Sequence, residues 1–522
     1  MPPPSFSSQS SFQVHAPRGT VALLKEATQA VYAHLQKGSD GGAAWTALQA
    51  LLADLHLDTD MSDPEWIHAP EPERSGTCES IAERLNVDLM DMHGGADVAC
   101  MLRVVEQAAI LLSPGRLIAH WAHALVFPAL SQSHALSYAD VARAHRLCVY
   151  MMLSVPLEVY DGVQDTHAFR TDVSPASDAA LAFTQSVFML YAEGPVPGRH
   201  PAVASLDTIL SMYSETRPTP FLHHVALSLS PTCTHLLHAL ILFLQRHTMH
   251  TYRITSTCLL EQLLALLVTL DGATVVEEGI KCLVMILPHV PYWLSRPESN
   301  KLPALFRLYA HVVTVFVHAN EHVRLLFSTV YGLFPGPFLW FLRAPDACLA
   351  HLGDTMPWDE NDTLPLQRGS DIYLEHHLVH PQLAKHEPAP DEPAGRMWQH
   401  SDPADLLAMC QRLYVPTTSI PDRDVPLPMA DESGDARLRS EWRFELYMRE
   451  QLLMHIGCLH RDRIAGTAEE EQQQQLQDTN RMLRTQLQTL QAHMERQRAE
   501  VQAANARHMQ WESELTTKLN TY

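Results

Sequence analysis

The residues of this sequence that most suggest metal binding or catalysis are histidines at metal-ligand spacing. The segment His318-Ala-Asn-Glu321-His322 matches the H-x-x-E-H pattern of inverted zinc proteases, which need both histidines on one helix face and a distal glutamate as third ligand. Here the pattern lies between two apolar helical runs, where a turn would keep the imidazoles apart. With 31 histidines in the chain, a chance match is also expected. We therefore keep a zinc-dependent hydrolase only as an alternative, and predict no catalytic residue, metal or cofactor.

Three further histidine groups are also candidates for metal binding. Two of them are pairs without cysteine or carboxylate partners at ligand spacing, which is typical of surface or half-buried histidines. The third is denser, but no fourth ligand accompanies it. The groups are His235 with His238, His247 with His250, and Glu375-His376-His377 with His380.

The sequence motifs of nucleotide binding and of serine hydrolases are absent. There is no G-x-x-x-x-G-K-[ST], no G-x-G-x-x-G and no G-x-S-x-G in the chain. Acidic residues outnumber basic ones by 59 to 37, and a formal net charge of −22 repels phosphates. We therefore predict no nucleic-acid partner. No loop singles out an arginine for GTPase-activating chemistry.

Cysteine usage and the apolar runs predict a cytoplasmic protein. No two cysteines form a C-x-x-C pair, so they are predicted to be reduced and buried rather than paired in a disulfide framework. The first sixteen residues lack an apolar run and are predicted to be a disordered tail, not a signal peptide. Every apolar stretch is interrupted within about a dozen residues, whereas a bilayer-spanning helix needs about 20. The cysteines are Cys78, Cys100, Cys148, Cys233, Cys258, Cys282, Cys348, Cys410 and Cys458.

Apolar residues recur at steps of three and four along most of the first 343 residues, which is the pattern of amphipathic helices. Strand signals are nearly absent. Many helices with short links predict pairs stacked into a HEAT-like helical solenoid over residues 17–343, and a globin-like or irregular bundle is the alternative. The predicted helices span residues 20–36, 44–55, 96–112, 116–130, 139–153, 177–192, 201–214, 234–245, 254–270, 273–287, 301–317 and 323–343.

The chain changes character after residue 343. Recurrent prolines predict an extension over residues 344–414, with short helices at 371–384 and 403–413, followed by a linker at 415–435. Residues 436–522 are predicted to be helical again, and polar. The predicted fold class is therefore all-α: a tail at 1–16, the solenoid, a proline-rich linker and a C-terminal coiled coil.

A heptad pattern runs along the last part of the chain. Nine of its twelve a and d positions are apolar, and this 3.5-residue period predicts a left-handed coiled coil. An asparagine at an a position pairs best with its copy in a parallel dimer, so we predict a homodimer. A single helix docked on the solenoid is the alternative. The predicted interface is Leu476, Asn480, Leu483, Leu487, Leu490, Met494, Val501, Trp511 and Leu515.

A second apolar seam precedes the heptads, and Gly466 between the two is a candidate break in the helix. We predict that this first part of the helix binds a partner. Its candidate contact residues are Trp442, Leu446, Tyr447, Leu453, Ile456 and Leu459.

Five segments, taken together and in order, resemble the hamartin family, the first subunit of the tuberous sclerosis complex. Residues 275–291 read VVEEGIKCLVMILPHVP, and residues 330–343 read VYGLFPGPFLWFLR. Residues 375–383 (EHHLVHPQL) and 396–398 (RMW) follow in the family's order. Residues 444–463 (FELYMREQLLMHIGCLHRDR) look like the beginning of the hamartin coiled coil. The resemblance covers about residues 234–413 and 437–494.

The resemblance implies a non-catalytic scaffold. Hamartins carry a HEAT-like domain and a coiled coil that self-associates and binds tuberin, the subunit with the GTPase-activating domain for the Rheb GTPase. The complex thereby restrains target-of-rapamycin signalling. The resemblance also implies a peripheral contact with phosphoinositide-containing vacuolar or lysosomal membranes, although no basic cluster here supports one.

Two departures from the family pattern stand out. The low-complexity region before the coil is short, and the coil ends at residue 522, so we expect a short fungal-type form or a truncated gene product. Our sequence-based hypothesis is a scaffold that dimerises and binds a tuberin-like GTPase-activating protein. A vesicle-tethering or cytoskeletal coiled-coil adaptor is the alternative.

Overall fold

The helices of the chain are taken from a computed structural model. It describes residues 18–37, 42–57, 76–132, 135–160, 175–194, 203–231, 233–270, 272–296, 301–316, 320–354, 356–379, 398, 401–415 and 432–520. Within the last range, side chains are described at 438–439, 441–457, 481–489, 491–499, 502–503 and 505–517. The chain divides into a first compact unit, Met1–Glu450, and a second, Gln451–Tyr522.

Ten α-helices occupy the described part of the chain before residue 230. A π-helix, Leu117–Val126, and a 3₁₀ helix, Leu157–Tyr160, lie among them. The α-helices are α1 Arg18–Lys37, α2 Gly42–Asp54, α3 Gly76–His93, α4 Val98–Leu112, α5 Pro114–Arg116, α6 Phe127–Ser131, α7 Tyr138–Leu153, α8 Pro175–Glu193, α9 Val203–Thr216 and α10 Pro218–Ser228.

Eleven more α-helices are described after residue 230. Two 3₁₀ helices, Thr248–Ser256 and Leu287–His289, accompany them, and a single antiparallel bridge joins His377 to Tyr414. The α-helices are α11 Thr234–Arg246, α12 Leu259–Val268, α13 Ala273–Ile286, α14 Pro291–Leu294, α15 Lys301–Val315, α16 Glu321–Leu333, α17 Pro335–Arg343, α18 Pro345–His351, α19 Glu360–Leu374, α20 Pro403–Arg412 and α21 Glu432–Asn520.

Successive helices of the first unit alternate between two layers. One layer stacks α7, α9, α11, α13, α16 and α20 in that order, and the other stacks α8, α10, α12, α15 and α19. Each helix buries an apolar stripe against its neighbours, as Leu263, Leu283, Phe306 and Phe327 do with no exposed surface. This alternation is the packing of an α-solenoid. The predicted all-α, solenoid-like fold is confirmed.

Ten predicted helices agree with the structure to within two residues at each end. The prediction of one helix over 323–343 is wrong, because the chain breaks at Phe334 and α16 and α17 meet at 118°. Pro335 forces the break, since proline lacks the N–H and its ring clashes with the preceding turn. The predicted helix at 254–270 is shorter as α12, because Thr257 is extended and its hydroxyl accepts the Leu259 N–H at 3.4 Å.

Two further helix predictions also need correction. The predicted helix at 116–130 is α-helical only at its ends, and a π-helix lies between them, where the Trp121 indole N–H donates to Asn86 at 2.8 Å. The predicted helix at 371–384 is wrong, because α19 already ends at Leu374. That helix begins much earlier, where the Asp359 side chain accepts the Asn361 N–H, and residues 380–384 lie outside the described residues.

Sequence analysis missed two full-length helices in the first unit. In α3 the apolar stripe of Ile81, Leu85 and Leu89 is present, but charged residues separate its members. In α10, Pro218 and Pro220 stand at the start of the apolar run. Both prolines lie in the first turn, where their missing N–H groups have no intrahelical acceptor to lose.

No single helix in the described ranges is long and apolar enough to cross a bilayer. The bent pair α16 and α17 reaches the required length and composition only when the two helices are taken together. Most of its large side chains, including Phe327, Phe338 and Phe341, are buried in the solenoid core. The pair is accordingly part of that core.

A close approach between α16 and α20 requires a glycine at position 332. A Cβ atom there would lie 2.4 Å from the Cys410 sulfur and 3.1 Å from the Cys410 Cα. The sulfur could rotate away, but the Cα could move only with its helix. The two helices therefore pack at this distance only because residue 332 has no side chain.

We expect Gly332→Ala to lower the free energy of unfolding of the first unit by about 1–3 kcal/mol, because the added methyl group overpacks the α16–α20 contact. Urea unfolding followed by circular dichroism measures this change. Gly115→Ala is the matched control, since no described residue beyond the local helix lies within 4 Å of the added Cβ there. Equal stability of the two variants would contradict the proposed close packing.

Candidate functional site on the C-terminal helix

Helix α21 runs without interruption for 89 residues. Gly457 and Gly466 lie inside it, so Gly466 does not break the helix. The part up to Glu450 belongs to the first unit, and the second unit begins at Gln451. Each part carries residues predicted to bind other chains.

The part of α21 in the first unit is docked on the solenoid by one face. Phe444, Tyr447 and Met448 are buried there. The Tyr447 hydroxyl donates to the Met285 carbonyl of α13 at 3.2 Å, and the Gln411 side chain of α20 lies 4.0 Å from the Met448 sulfur. Burial raises the pKa of Tyr447. This face of α21 is therefore part of the solenoid core.

A buried group of charged side chains forms the polar part of this docking. The Lys281 ammonium, which is 0% exposed, donates to Glu278 at 2.9 Å and to Glu441 of α21 at 2.7 Å. The His322 Nε2 lies 3.1 Å from the same Glu441 oxygen, and the His238 Nε2 lies 3.5 Å from Glu278. We call these five residues the Lys281 cluster. It joins α11, α13, α16 and α21.

Glu441 is stabilised in its charged form by this cluster. Desolvation alone would raise its pKa, but the hydrogen bonds from His322 and Lys281 hold the pKa of Glu441 at about 2. The carboxylate is thus ionised throughout the physiological pH range. The His322 ring also packs edge-on against Phe444, with centroids 5.8 Å apart.

The structure gives the residues of the H-x-x-E-H motif separate partners. Glu321 begins α16 and pairs with Arg324, and this hydrogen bond lowers the pKa of Glu321. His322 faces Glu441 instead, and His318 lies outside the described residues. Within the described part of the chain, no three histidine, cysteine or carboxylate side chains converge to hold a metal ion.

The other candidate histidines also have local partners. The ring centroids are 6.3 Å apart in both predicted pairs, His235 with His238 and His247 with His250. His377 is buried between the Ser328 hydroxyl, at 2.7 Å, and the Tyr373 carbonyl, at 2.6 Å. The His376 ring packs against Tyr414, and His380 lies outside the described residues. These contacts are internal to the solenoid.

The predicted partner-binding residues differ in their accessibility. In the first unit, Trp442 is 64% exposed and Leu446 is half-buried, whereas Tyr447 is enclosed by the chain itself. In the second unit, Leu453 and Ile456 are exposed. Leu459 lies outside the described side chains. The role of these residues in binding stays a prediction.

The predicted coiled-coil positions are open to solvent wherever their side chains are described. Exposed fractions run from 40% at Leu515 to 60% at Trp511. Leu483, Leu487 and Met494 fall between these values. The remaining predicted interface residues, Leu476, Asn480, Leu490 and Val501, lie outside the described side chains. The second unit thus presents a row of apolar side chains at heptad spacing.

Sequence analysis missed the Lys281 cluster entirely. A signal was present, because Lys281 is the one basic residue between Glu278 and Ile286 in a run that is otherwise apolar. A fully buried lysine needs a carboxylate partner. The sequence does not indicate which of 59 acidic residues supplies it, and Glu441 lies 160 positions further along the chain.

The fold and this site define a class: α-solenoid proteins that carry a long C-terminal helix with an apolar heptad seam. Two curated proteins are similar in sequence to parts of this chain. The tuberous sclerosis 1 protein homolog of Schizosaccharomyces pombe is 38% identical over 82 residues, 16% of this chain and 9% of that protein. Mouse hamartin (Mus musculus) is 23% identical over 275 residues, 47% of this chain and 22% of that protein. No family model matches the chain.

A solved structure supports the same relationship at the level of the fold. The TSC1 N-terminal domain superposes with a TM-score of 0.50 at 18% identity, covering 75% of this chain and 100% of that domain. The predicted resemblance to the hamartin family is thereby confirmed. The matched segments span less than a quarter of the curated relatives' own length.

Several buried histidines make the solenoid sensitive to acid. Burial, with a smaller contribution from the charge of His223, lowers the pKa of His224 to about 3. Burial also lowers the pKa of His145 and His289 from 6.5 to about 4. Unfolding restores the ordinary pKa of each ring, so the unfolded chain binds more protons below pH 6.5. The contribution of these three rings to the stability of the solenoid is therefore complete above pH 6.5 and is lost as the pH falls below that value.

We expect His289→Leu to remove about 2 kcal/mol of the stability difference between pH 7.5 and pH 5, because the variant has no proton to gain at this position. Among the described residues, the His289 Nε2 has no hydrogen-bond partner that the substitution would remove. Urea unfolding at the two pH values provides the measurement. The control is His120→Leu, whose side chain is exposed in the native protein. An unchanged pH dependence in His289→Leu would contradict the expectation.

Proposed function

We propose that this chain is a non-catalytic scaffold that dimerises through α21 and holds a tuberin-like GTPase-activating protein. Through that partner it would restrain a Rheb-like GTPase and target-of-rapamycin signalling. The observation that carries the proposal is the row of exposed apolar side chains at heptad positions of α21. The resemblance to hamartins supplies the identity of the partner.

Dimerisation follows from the physical properties of α21. A solvated helix of this length gains little from its polar surface, and most helical stability in proteins comes from burying an apolar face. Leu483, Leu487 and Met494 are on average about half exposed in the single chain. A second copy in a parallel coiled coil would bury all three, and Asn480 would fix the register.

The proposed mechanism is bivalent presentation. A dimer carries two copies of each partner-binding surface, and the second binding event then occurs at the effective concentration set by the tether. Trp442 in the first unit, and Leu453 and Ile456 in the second, are exposed apolar candidates for that surface. No bond is made or broken by this chain in such a role.

We also propose a cytoplasmic location with peripheral contact at vacuolar or lysosomal membranes, as the hamartin resemblance implies. Fluorescence microscopy of the tagged chain tests this location. A uniform signal that never overlaps a vacuolar or lysosomal marker would contradict the membrane part of the proposal.

Affinity purification of the full-length tagged chain from its own cells, followed by mass spectrometry, tests the function. A tuberin-like protein should dominate the co-purified material. Recovery of tethering factors or cytoskeletal proteins in its place would favour the adaptor alternative and contradict the proposal.

We expect Leu483→Asp with Leu487→Asp to convert the dimer to a monomer while the solenoid stays folded, because four carboxylates would meet at the apolar seam of the dimer. Multi-angle light scattering reports the mass, and circular dichroism reports the folding of the first unit. The matched control, Thr485→Asp with Gln488→Asp, adds the same charge at positions outside the seam. An unchanged dimer mass in the first variant would contradict the seam assignment.

We expect Asn480→Leu to raise the melting temperature of the coiled coil and to broaden its oligomer distribution, because a buried asparagine costs stability but specifies register. Sedimentation velocity resolves the species. Gln488→Leu adds the same apolar group outside the seam and should leave the distribution unchanged. A variant that stays strictly dimeric would show that Asn480 does not specify the assembly.

A further inference from the structure

The Lys281 cluster ties α21 to two helices of the solenoid through one carboxylate. Glu441 accepts from Lys281 of α13 at 2.7 Å and lies 3.1 Å from His322 of α16. Lys281 has a second partner in Glu278 of its own helix. Glu441 is the one member of the cluster that α21 contributes. The docking of α21 therefore places one charge at a fixed point of the solenoid surface.

The docked segment packs on the solenoid core by one face. Phe444, Tyr447 and Met448 are buried, whereas Leu438 and Trp442 on the other face are more than 60% exposed. The backbone hydrogen bonds of this segment lie within α21 itself, so its helical form does not require the solenoid. Its attachment to the solenoid depends on these few side-chain contacts.

The charges of the Lys281 cluster have different effects in two states. In the closed state residues 438–450 are docked on the solenoid, and in the open state they have left it. In the closed state Lys281 is covered, and a buried ammonium without a carboxylate partner is strongly unfavourable. When α21 leaves, water reaches both Lys281 and Glu441 and solvates them. The ion pair therefore adds little to the absolute affinity of the segment, but it makes the closed state depend on a carboxylate at position 441.

We propose that residues 438–450 form a detachable latch, seated in a helix-binding groove that α13, α16 and α20 line. The groove accepts an amphipathic helix whose carboxylate lies one turn before an aromatic pair, here Glu441 before Phe444 and Tyr447. Its occupant is this chain's own segment. Opening exposes Phe444, Tyr447 and Met448 together and thus controls when that apolar face is available. The proposal of a latch depends on the docking contacts alone and not on the proposed partner or dimer.

Hydrogen–deuterium exchange of the full chain tests the latch. We expect Glu441→Leu to speed exchange of the amides at 438–450 about a hundredfold, because Lys281 is left buried without its second carboxylate. Amides in α1 to α4, which do not line the groove, should exchange as in the wild type. Glu445→Leu, on the exposed face of the same helix, is the matched control and should change nothing.

A compensating variant separates the ion pair from general packing. Lys281→Met combined with Glu441→Leu removes both charges and should return protection at 438–450 to within about tenfold of the wild type, because two apolar groups replace the pair. Should Glu441→Leu fail to fold, Glu441→Gln replaces it in the same comparison.

Three results would overturn the proposal. The first is unchanged exchange at 438–450 in Glu441→Leu and Glu441→Gln. The second is faster exchange spread over the whole first unit, which would make the segment an inseparable part of the core. The third is protection at 438–450 that falls on dilution, which would show that a second copy fills the groove.

Discussion

The solenoid depends on burying each helix's apolar stripe against helices two to four places away in the chain. Helices of this length are marginal alone, so α11, α13, α16 and α20 are stable because each covers the next. The alternation also explains why the layers have no single centre. Each helix of a layer packs against the helix before it and the helix after it in that layer.

The docked start of α21 covers part of one layer in a different way. The apolar contacts of Phe444 and Tyr447 resemble those between any two solenoid helices. Lys281 differs, because its buried ammonium needs a carboxylate partner, which apolar contacts cannot supply. A charge within an apolar row is rarely favourable for stability alone. It restricts which helix can lie there, and this restriction distinguishes the start of α21 from the solenoid repeats before it.

Much of the fold could be predicted from the sequence because most helices carry a complete 3.6-residue apolar pattern, as α11 and α13 do. The failures were local. No helix was predicted where α10 begins with two prolines, Pro335 divided a run that looked continuous, and charged residues obscured α3. The heptad period of the apolar residues in α21 is readable in the sequence, and the coiled-coil seam stays a prediction. The Lys281–Glu441 contact was not, because its partners lie in separate segments and only the tertiary fold brings them together.

The close contact between α20 and Gly332 also makes the Cys410 thiol a probe of whether α16 and α20 stay packed together. Burial raises the pKa of the Cys410 thiol to about 12, and the thiolate is the form that reacts with electrophiles. While α20 stays packed against α16, this thiol is protonated and unreactive toward electrophiles at neutral pH. Once water enters the contact, the thiol regains ordinary acidity, so alkylation at Cys410 would record each separation of the two helices without any introduced label.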